Sequence, residues 1–331
     1  MKNKKMKAML AMGYGSPDVL QLKEVEIPTP SPNEVLVKVK TSSATTADTM
    51  MRTGKPYIGR LFLGFKKPKH PIPGTGFAGI VEEVGTKVNS LKVGDRVFGE
   101  TTLGFSANAE YLTVSGNGVV LLMPENMDFN EAASFGDGHL TSYNFLKEIA
   151  EVQPGERVLI NGASGALGTS AVQIAKYFGS HVTAVCSSRN FELVKSLGAD
   201  ELMDYRKKDF TKSGQKFDYV YDTVGKSSFK KCRKILSEKG IYLSPVLKMS
   251  LLIDMLKTSL TRKKKAIFQA TGTKGNDKLR VLLINVLDIY KEGKLKTVVD
   301  RQFTLEKLGD AHKYIETGHK RGNVIIANYF S

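Results

Sequence analysis

The chain has 331 residues, enough for about two domains with separate cores. Its 41% hydrophobic and 25% charged residues exclude wholesale disorder, and two cysteines, Cys186 and Cys232, are too few for a disulfide scaffold or a thiolate metal cage. The net charge of +16 includes the runs Lys66-Lys67, Lys207-Lys208, Lys230-Lys231 and Lys263-Lys264-Lys265, which would attract nucleic acid, anionic lipid or an anionic cofactor; no nucleic-acid motif and no interleaved aromatics accompany it.

The N-terminal MKNKKMKAML carries too short an apolar run for a secretory signal, and Val158 to Ala175, the longest uncharged stretch, is broken by three glycines. A cytoplasmic protein is expected. The first ~125 residues predict short strands. VLVKVKTSS (Val35 to Ser43) alternates with the two-residue period of a half-buried strand, and GFAGIVEEVG, VGDRVFGE and AEYLTVSGNGVVLLMP continue the pattern between Gly, Asn and Pro breaks. From Asn130 the spacing turns helical, and Pro154-Gly155 ends that segment. From Arg157, strand and helix alternate: RVLING, a helix to Phe178, HVTAVCSS, a helix through FELVKSLGAD, then DYVYDTVG, a helix through KKCRKILSEKG, and IYLSPV. That order predicts βαβ units and a parallel sheet. A helix through LRVLLINVLDIYKEG and a strand in GNVIIANYF close the chain.

Between RVLING and the next helix lies Gly162-Ala163-Ser164-Gly165-Ala166-Leu167-Gly168, spaced G-x-x-G-x-x-G. Strand before, helix after and a second strand at HVTAVCSS point to a dinucleotide site. Its glycines clear side chains from the path of a diphosphate, and the helix offers unpaired N–H groups from about Ala166 onward. The end of the second strand selects the cofactor. An NAD enzyme places an acid there, about 20 residues after the loop. This chain has Ser187, Ser188 and Arg189, with no acid until Glu192. Hydroxyls and a guanidinium suit the 2′-phosphate of NADP, the alternative being that Arg189 is a solvated residue at a helix start.

These segments, with PGTGFAGIVEEVGTKV, MPENMDFNEAAS, LGADELMDYRKKDF and EGKLKTVVDRQFTLEKLGDAHKYIETGHKRGNVII, taken in order, resemble the medium-chain dehydrogenase/reductase superfamily in its quinone oxidoreductase-like branch. The resemblance runs from about Met6 to the C-terminus. It implies an α/β chain with a GroES-like catalytic domain (1–129), a Rossmann doubly wound parallel-sheet domain (130–275), and a return to the first domain (276–331). Zinc-dependent relatives have a Cys at Thr45 and a Gly-His-Glu at Gly74-Thr75-Gly76, and take a third ligand near Gly138 to Thr141. Thr45, Thr75 and Gly76 lack the Cys, His and Glu donors, and the four cysteines of the structural zinc are absent too. His70, His139, His181, His312 and His319 show no ligand spacing. A zinc-free member is implied.

The resemblance further implies hydride transfer from NADPH to a quinone or an α,β-unsaturated carbonyl. The alternatives are carbonyl reduction or alcohol oxidation, and a non-catalytic NADPH-binding module on a membrane surface or RNA. Thr45 stands where relatives use Asn toward the substrate oxygen, and Met50 replaces a tyrosine that often follows Asp48. Tyr57 is a candidate replacement or a surface aromatic. Asp48 is a candidate for holding its loop by hydrogen bonds, or for proton transfer. Thr141 matches a residue beside the nicotinamide, Tyr205 one beside the 2′-phosphate, and Asn323 one that reaches the cofactor. Val224, Gly225, Ser244, Pro245 and Val246 end or follow strands at the sheet's carboxyl edge, where ligands bind. The expected partners are a hydrophobic acceptor and a second copy paired through the Rossmann sheet edge. Finally, Pro245 to Lys265 carries Met249, Leu252, Ile253, Leu256 and Leu260 on one helical face ahead of a basic cluster. It reads as a lid or dimer-contact helix, or as a helix lying on an anionic membrane.

Overall fold

The computed structural model describes residues 4–328 apart from Arg262. The chain forms two compact units: residues 1–137, 272–285 and 297–331 make the first, and residues 138–271 and 286–296 the second. The break at Asp137 falls later than the expected 129. Residues 130–137 stay with the first unit because their contacts lie there. The Thr297 hydroxyl donates to Glu131 O at 3.3 Å, and Phe135 meets Phe98 edge to face at 5.3 Å. A Cβ on Gly136 would sit 2.0 Å from Glu100 Oε2.

The first unit contains β1 (Lys5–Ala11), β2 (Leu20–Glu26), β3 (Glu34–Ala44), β4 (Gly76–Val84), β5 (Arg96–Glu100), β6 (Tyr111–Ser115) and β7 (Val120–Leu122). The second contains β8 (Arg157–Asn161), β9 (His181–Cys186), β10 (Glu201–Asp204), β11 (Phe217–Asp222), β12 (Leu236–Ser244) and β13 (Lys265–Phe268). Strands β14 (Val299–Thr304) and β15 (Asn323–Ala327) return to the first. There the order is β14-β15-β3-β4-β5-β7, with β6 also on β3, and β1 pairs β2 in a separate ribbon. Alternation in β3 turns Val35, Val37 and Val39 into a core shared with Phe77, Val81, Val97, Leu112 and Val120. The helix Thr46–Thr53 that leaves β3 is fixed from below by buried Arg52. Its guanidinium donates to Gly15 O and Glu316 and, through Nε, to His312 Nδ1 at 3.2 Å.

In the second unit the strand order is β10-β9-β8-β11-β12-β13, with every pairing parallel. This is the doubly wound order whose reversal, between β8 and β11, opens a crevice at the strands' carboxyl ends. The central strands β8 and β9 are buried along nearly their whole length, as strands covered on both faces are. One carboxylate ties the crevice together. Asp222, fully buried at the end of β11, accepts from Asn161 Nδ2 at 2.8 Å, Tyr242 OH at 2.7 Å and Ser227 N–H at 2.8 Å, while its own carbonyl accepts from Ser244 Oγ at 2.9 Å. Three adjacent strands, β8, β11 and β12, are thereby pinned at their functional ends.

Two expectations need correction. KKCRKILSEKG is not one helix. The helical turn Phe229–Cys232, capped by Ser228, ends as Ile235 N–H turns back to Cys232 O at 2.9 Å. Leu236 then pairs with Phe217, and a register shift accommodates the following residues within β12. The segment 245–265 is helical only over Met249–Ser259, and its last residue, Lys265, opens edge strand β13; Arg262 lies outside the described residues.

Replacing Asp222 with Ala strands three buried donors at about 1–3 kcal/mol each. Urea titration is expected to show the second unit destabilised by roughly 3–9 kcal/mol, against about 1 kcal/mol for Tyr242→Phe.

Candidate functional site

The turn after β8 is built around closeness. Gly162 has φ +84°, a region L side chains rarely adopt, and a Cβ there would strike Val224 Cγ1 at 2.6 Å. A Cβ on Gly168 would lie 2.1 Å from Gly162 O, so the third glycine lets the helix Ala166–Tyr177 begin directly on the loop. Gly165 differs: a Cβ there meets only Gly162 O at 3.5 Å, an ordinary contact. Nothing inside the protein demands glycine at that position; its missing side chain keeps the loop's outer face open. Gly165 is also the helix N-cap and supplies no side-chain acceptor. Among the described residues no carbonyl accepts the N–H groups of Ala166, Leu167 or Gly168, the first helical acceptor being Gly165 O for Thr169. Together these form a concave, donor-lined cradle for a diphosphate.

The end of β9 is joined to this cradle by Asn190 Nδ2, which donates to Ser164 Oγ at 2.9 Å. Ser187 is buried, and its hydroxyl has no partner among the described residues. Ser188 and Arg189 are exposed. Sequence reasoning took Tyr205 from the end of the neighbouring strand but overlooked Asp204 and Arg206 on either side of it. β10 pairs with β9 so that Asp204 lies opposite Cys186, and the Asp204 carboxylate accepts Ser188 N–H at 3.2 Å and Arg206 N–H at 2.9 Å. The two backbone N–H bonds and Arg206 hold its pKa below the usual carboxylate range. The acid thus holds Tyr205 and Arg206 beside Ser188. Arg206 lies over the Tyr205 ring at 5.9 Å, and both are exposed, which adds a second guanidinium at the strand end. The signal was available: the third strand of a doubly wound sheet neighbours the second, and it ends in Asp-Tyr-Arg.

The remaining predicted positions of the second unit converge on the same edge. Val224 packs on Gly162, as above, and a Cβ on Gly225 would lie 2.7 Å from Val246 Cβ. Ser244 is fixed to Asp222, and Lys248 reaches back to Gly225 O. Half-buried Thr141 adjoins Ser142, whose hydroxyl donates to Leu167 O at 2.8 Å, placing it beside the loop helix. Both thiols are buried; burial pushes Cys186 up to about 12 and Cys232 up to about 11.

The other positions belong to the first unit. Thr45 caps the helix Thr46–Thr53 in a reciprocal box: its hydroxyl accepts from Asp48 N–H at 3.1 Å, and its own N–H and O–H donate to Asp48 Oδ2 at 2.8 and 2.9 Å. The Thr45 hydrogen expected to face a substrate oxygen is thus engaged with Asp48. Tyr57 is 66% exposed, with the Arg60 guanidinium 4.8 Å from its ring centroid. Asn323 is buried and donates to Val298 O at 3.1 Å.

Three carboxyl groups gather near the capping box, an arrangement that sequence spacing did not disclose. Burial raises Asp48 to about 7, against hydrogen bonds from Thr45. Burial also raises Glu100 to about 8, where a bond from Thr75 opposes and the charges of Asp137 and Asp48 reinforce the shift. Asp137 is raised by burial, with Lys320 opposing. The positions that carry zinc in metal-dependent relatives hold Thr45, Thr75 and Gly76, two hydroxyls and a backbone, and the Thr45 hydroxyl is already engaged. That donor set does not fit zinc. His139 and His312 are each lowered to about 3 by burial and stay neutral.

Residues 31–125 match the alcohol dehydrogenase GroES-like domain, and residues 197–326 match a family described as zinc-binding dehydrogenase. The chain is 35% identical over 334 residues to a 2-methylene-furan-3-one reductase of Solanum lycopersicum, covering 97% of this chain and 79% of that protein. It belongs to the medium-chain dehydrogenase/reductase superfamily, in the quinone oxidoreductase-like branch. A chloroplastic quinone-oxidoreductase of Triphysaria versicolor is 34% identical over 340 residues, covering 98% of this chain and 99% of that one. Among solved structures, the quinone oxidoreductase from Coxiella burnetii matches with a TM-score of 0.87 at 29% identity, covering 98% and 99% of the two chains. The superfamily's oxidoreductases work with a nicotinamide cofactor, and the donor-lined cradle of this member fits one.

The raised carboxyls make this member's stability depend on pH. The folded first unit holds protons that the unfolded chain would release above its ordinary carboxyl pKa of about 4. Their stabilising contribution is complete below that pH and is lost as pH rises through about 7 for Asp48 and about 8 for Glu100. Thermal melting should therefore fall by several degrees between pH 6 and pH 9, and Glu100→Gln should flatten that dependence.

Proposed function

We propose that this protein uses NADPH to reduce a quinone, or the conjugated double bond of an α,β-unsaturated carbonyl, without a metal. One observation carries the reading: a helix with no side-chain cap, behind a loop turned on Gly162 and Gly165, stands next to strand ends bearing two exposed guanidiniums, Arg189 and Arg206. The free N–H groups of residues 166–168 bind a diphosphate. Ser187, Ser188, Arg189 and Arg206 hold a 2′-phosphate, whose charge an unengaged acid would repel. Asp204, the acid at this edge, has each oxygen taken by a backbone N–H. Tyr205 covers the adenosine side, while Thr141, Val224, Gly225 and Val246 shape the nicotinamide side.

When bound, the cofactor supplies hydride from its nicotinamide. With no zinc to polarise a plain carbonyl, the chemistry favours acceptors that spread the developing charge over a π system. Two relatives bear names of that kind, a 2-methylene-furan-3-one reductase and a quinone-oxidoreductase. Reduction must end with a proton, and Asp48 and Glu100, raised by burial to about 7 and about 8, are two carboxyl groups of the first unit able to hold one near neutral pH.

Loss of NADPH absorbance against a panel of enones, enals and quinones tests the proposal. Turnover with NADPH well above that with NADH is expected. Arg189→Glu combined with Arg206→Glu should raise KM for NADPH by about 100-fold or more, since each of the two charged hydrogen bonds contributes ~1.5–3 kcal/mol, and leave NADH nearly unchanged. A native preference for NADH, or no turnover with any conjugated acceptor, would overturn it.

A further inference from the structure

Helix Met249–Ser259 packs on the second unit by one face only. Leu251 is buried in the core that includes Phe229, Tyr242 and Ala266, and Met255 packs against it. Thr258 Oγ1 accepts from Ala266 N–H at 3.2 Å, and Phe268 N–H reaches Met255 Sδ at 3.0 Å. The opposite face is apolar too, and it is bare. Met249, Ile253, Leu256 and Leu260 are 61%, 47%, 73% and 90% exposed. Their spacing of four, three and four residues keeps them within an arc of roughly 60° at 100° per residue. Surface residues of a soluble helix are ordinarily polar there, and scattered single apolar residues do not align in this way.

Charge flanks the stripe. A groove of 630 Å³ beside it is lined by Lys230, Arg233, Lys257, Lys263 and Lys264. Against these five cations stand two acids, Glu238 and Asp254. Burial and then the neighbouring cations Lys216 and Arg233 hold the Lys264 pKa below the usual lysine value, so an anion brought there would relieve real repulsion. Lys231, Lys234 and Lys265 are exposed nearby. Two copies of this face docked on each other would set cationic grooves together, and a nucleic acid would meet aliphatic side chains where it favours stacking aromatics. An aliphatic stripe bordered by cations matches one surface well: apolar chains beneath a layer of phosphates.

We propose that this face of the second unit docks on an anionic lipid bilayer, with Met249, Ile253, Leu256 and Leu260 entering the headgroup boundary and the groove taking lipid phosphates. No helix among the described residues is long and apolar enough to cross a membrane, so this contact lies on the surface. An enzyme held there would meet lipid-soluble acceptors where they are concentrated.

Flotation of the purified full chain with vesicles of phosphatidylcholine alone, or mixed with phosphatidylglycerol, tests it. The protein should float with the mixed vesicles at low salt, float far less at high salt, and ignore phosphatidylcholine. Leu256→Asp with Leu260→Asp should lower partitioning at least tenfold, and Lys257→Glu with Lys263→Glu should lower it by about fivefold or more per lysine. NADPH turnover with a water-soluble acceptor should be the same in all variants, since none of these residues lies in the cofactor cradle. Equal binding to both vesicle types, or flotation unchanged in both double variants, would overturn the proposal. So would a wild-type oligomer in ultracentrifugation that Leu256→Asp with Leu260→Asp dissociates, because a second copy would then cover the stripe.

Discussion

In the second unit, everything depends on how near a charged ligand can come to the main chain at the end of β8. Gly162 turns where another residue would strike Val224, and Gly168 lets a helix start against the loop it follows. The reward for this closeness is a set of backbone donors that the fold itself does not use. Such donors are costly to bury and weak when solvated, so their alignment at a helix start is informative in a way that a glycine count is not. The Asp222 network and the Asn190–Ser164 bond serve this geometry by fixing the strand ends around it.

The first unit is governed by buried charge. Arg52 holds the capping-box helix from beneath, and the box closes Asp48 on Thr45. Asp48, Glu100 and Asp137 then share a region where ionising one makes ionising the next harder. The unit keeps protons on carboxyl groups at neutral pH at the expense of stability in alkali. Burial raises all three carboxyl groups, the neighbouring acids add to the shifts of Asp48 and Glu100, and Lys320 opposes that of Asp137.

The Rossmann half was legible because its signals are local. Apolar runs, a glycine spacing and the alternation of strand and helix all sit within a few residues of what they specify. The same reading singled out the loop, Ser187 to Arg189 and the strand ends at Val224 and Ser244, which the structure places along one edge of the parallel sheet. It overlooked Asp204 and Arg206, which reach the site through pairing between β9 and β10 rather than through spacing. The acidic cluster was invisible for the same reason: residues 48, 100 and 137 come from separate elements, and burial, which no periodicity reports, sets their protonation. Helical spacing in KKCRKILSEKG was overridden by pairing of Leu236 with Phe217. Along Met249–Ser259, amphipathicity predicted a helix but assigned the single apolar face inward or outward without deciding. The structure shows apolar residues on both sides, Leu251 inward and Leu256 outward.

Conjugated carbonyls and quinones are electrophiles that alkylate ionised sulfur. The chain's two cysteines are both sealed inside the second unit, and their thiols stay protonated far above neutral pH. A protein that reduces such compounds, as proposed above, would otherwise be open to alkylation by its own reactants, and burial keeps both of these thiols out of their reach.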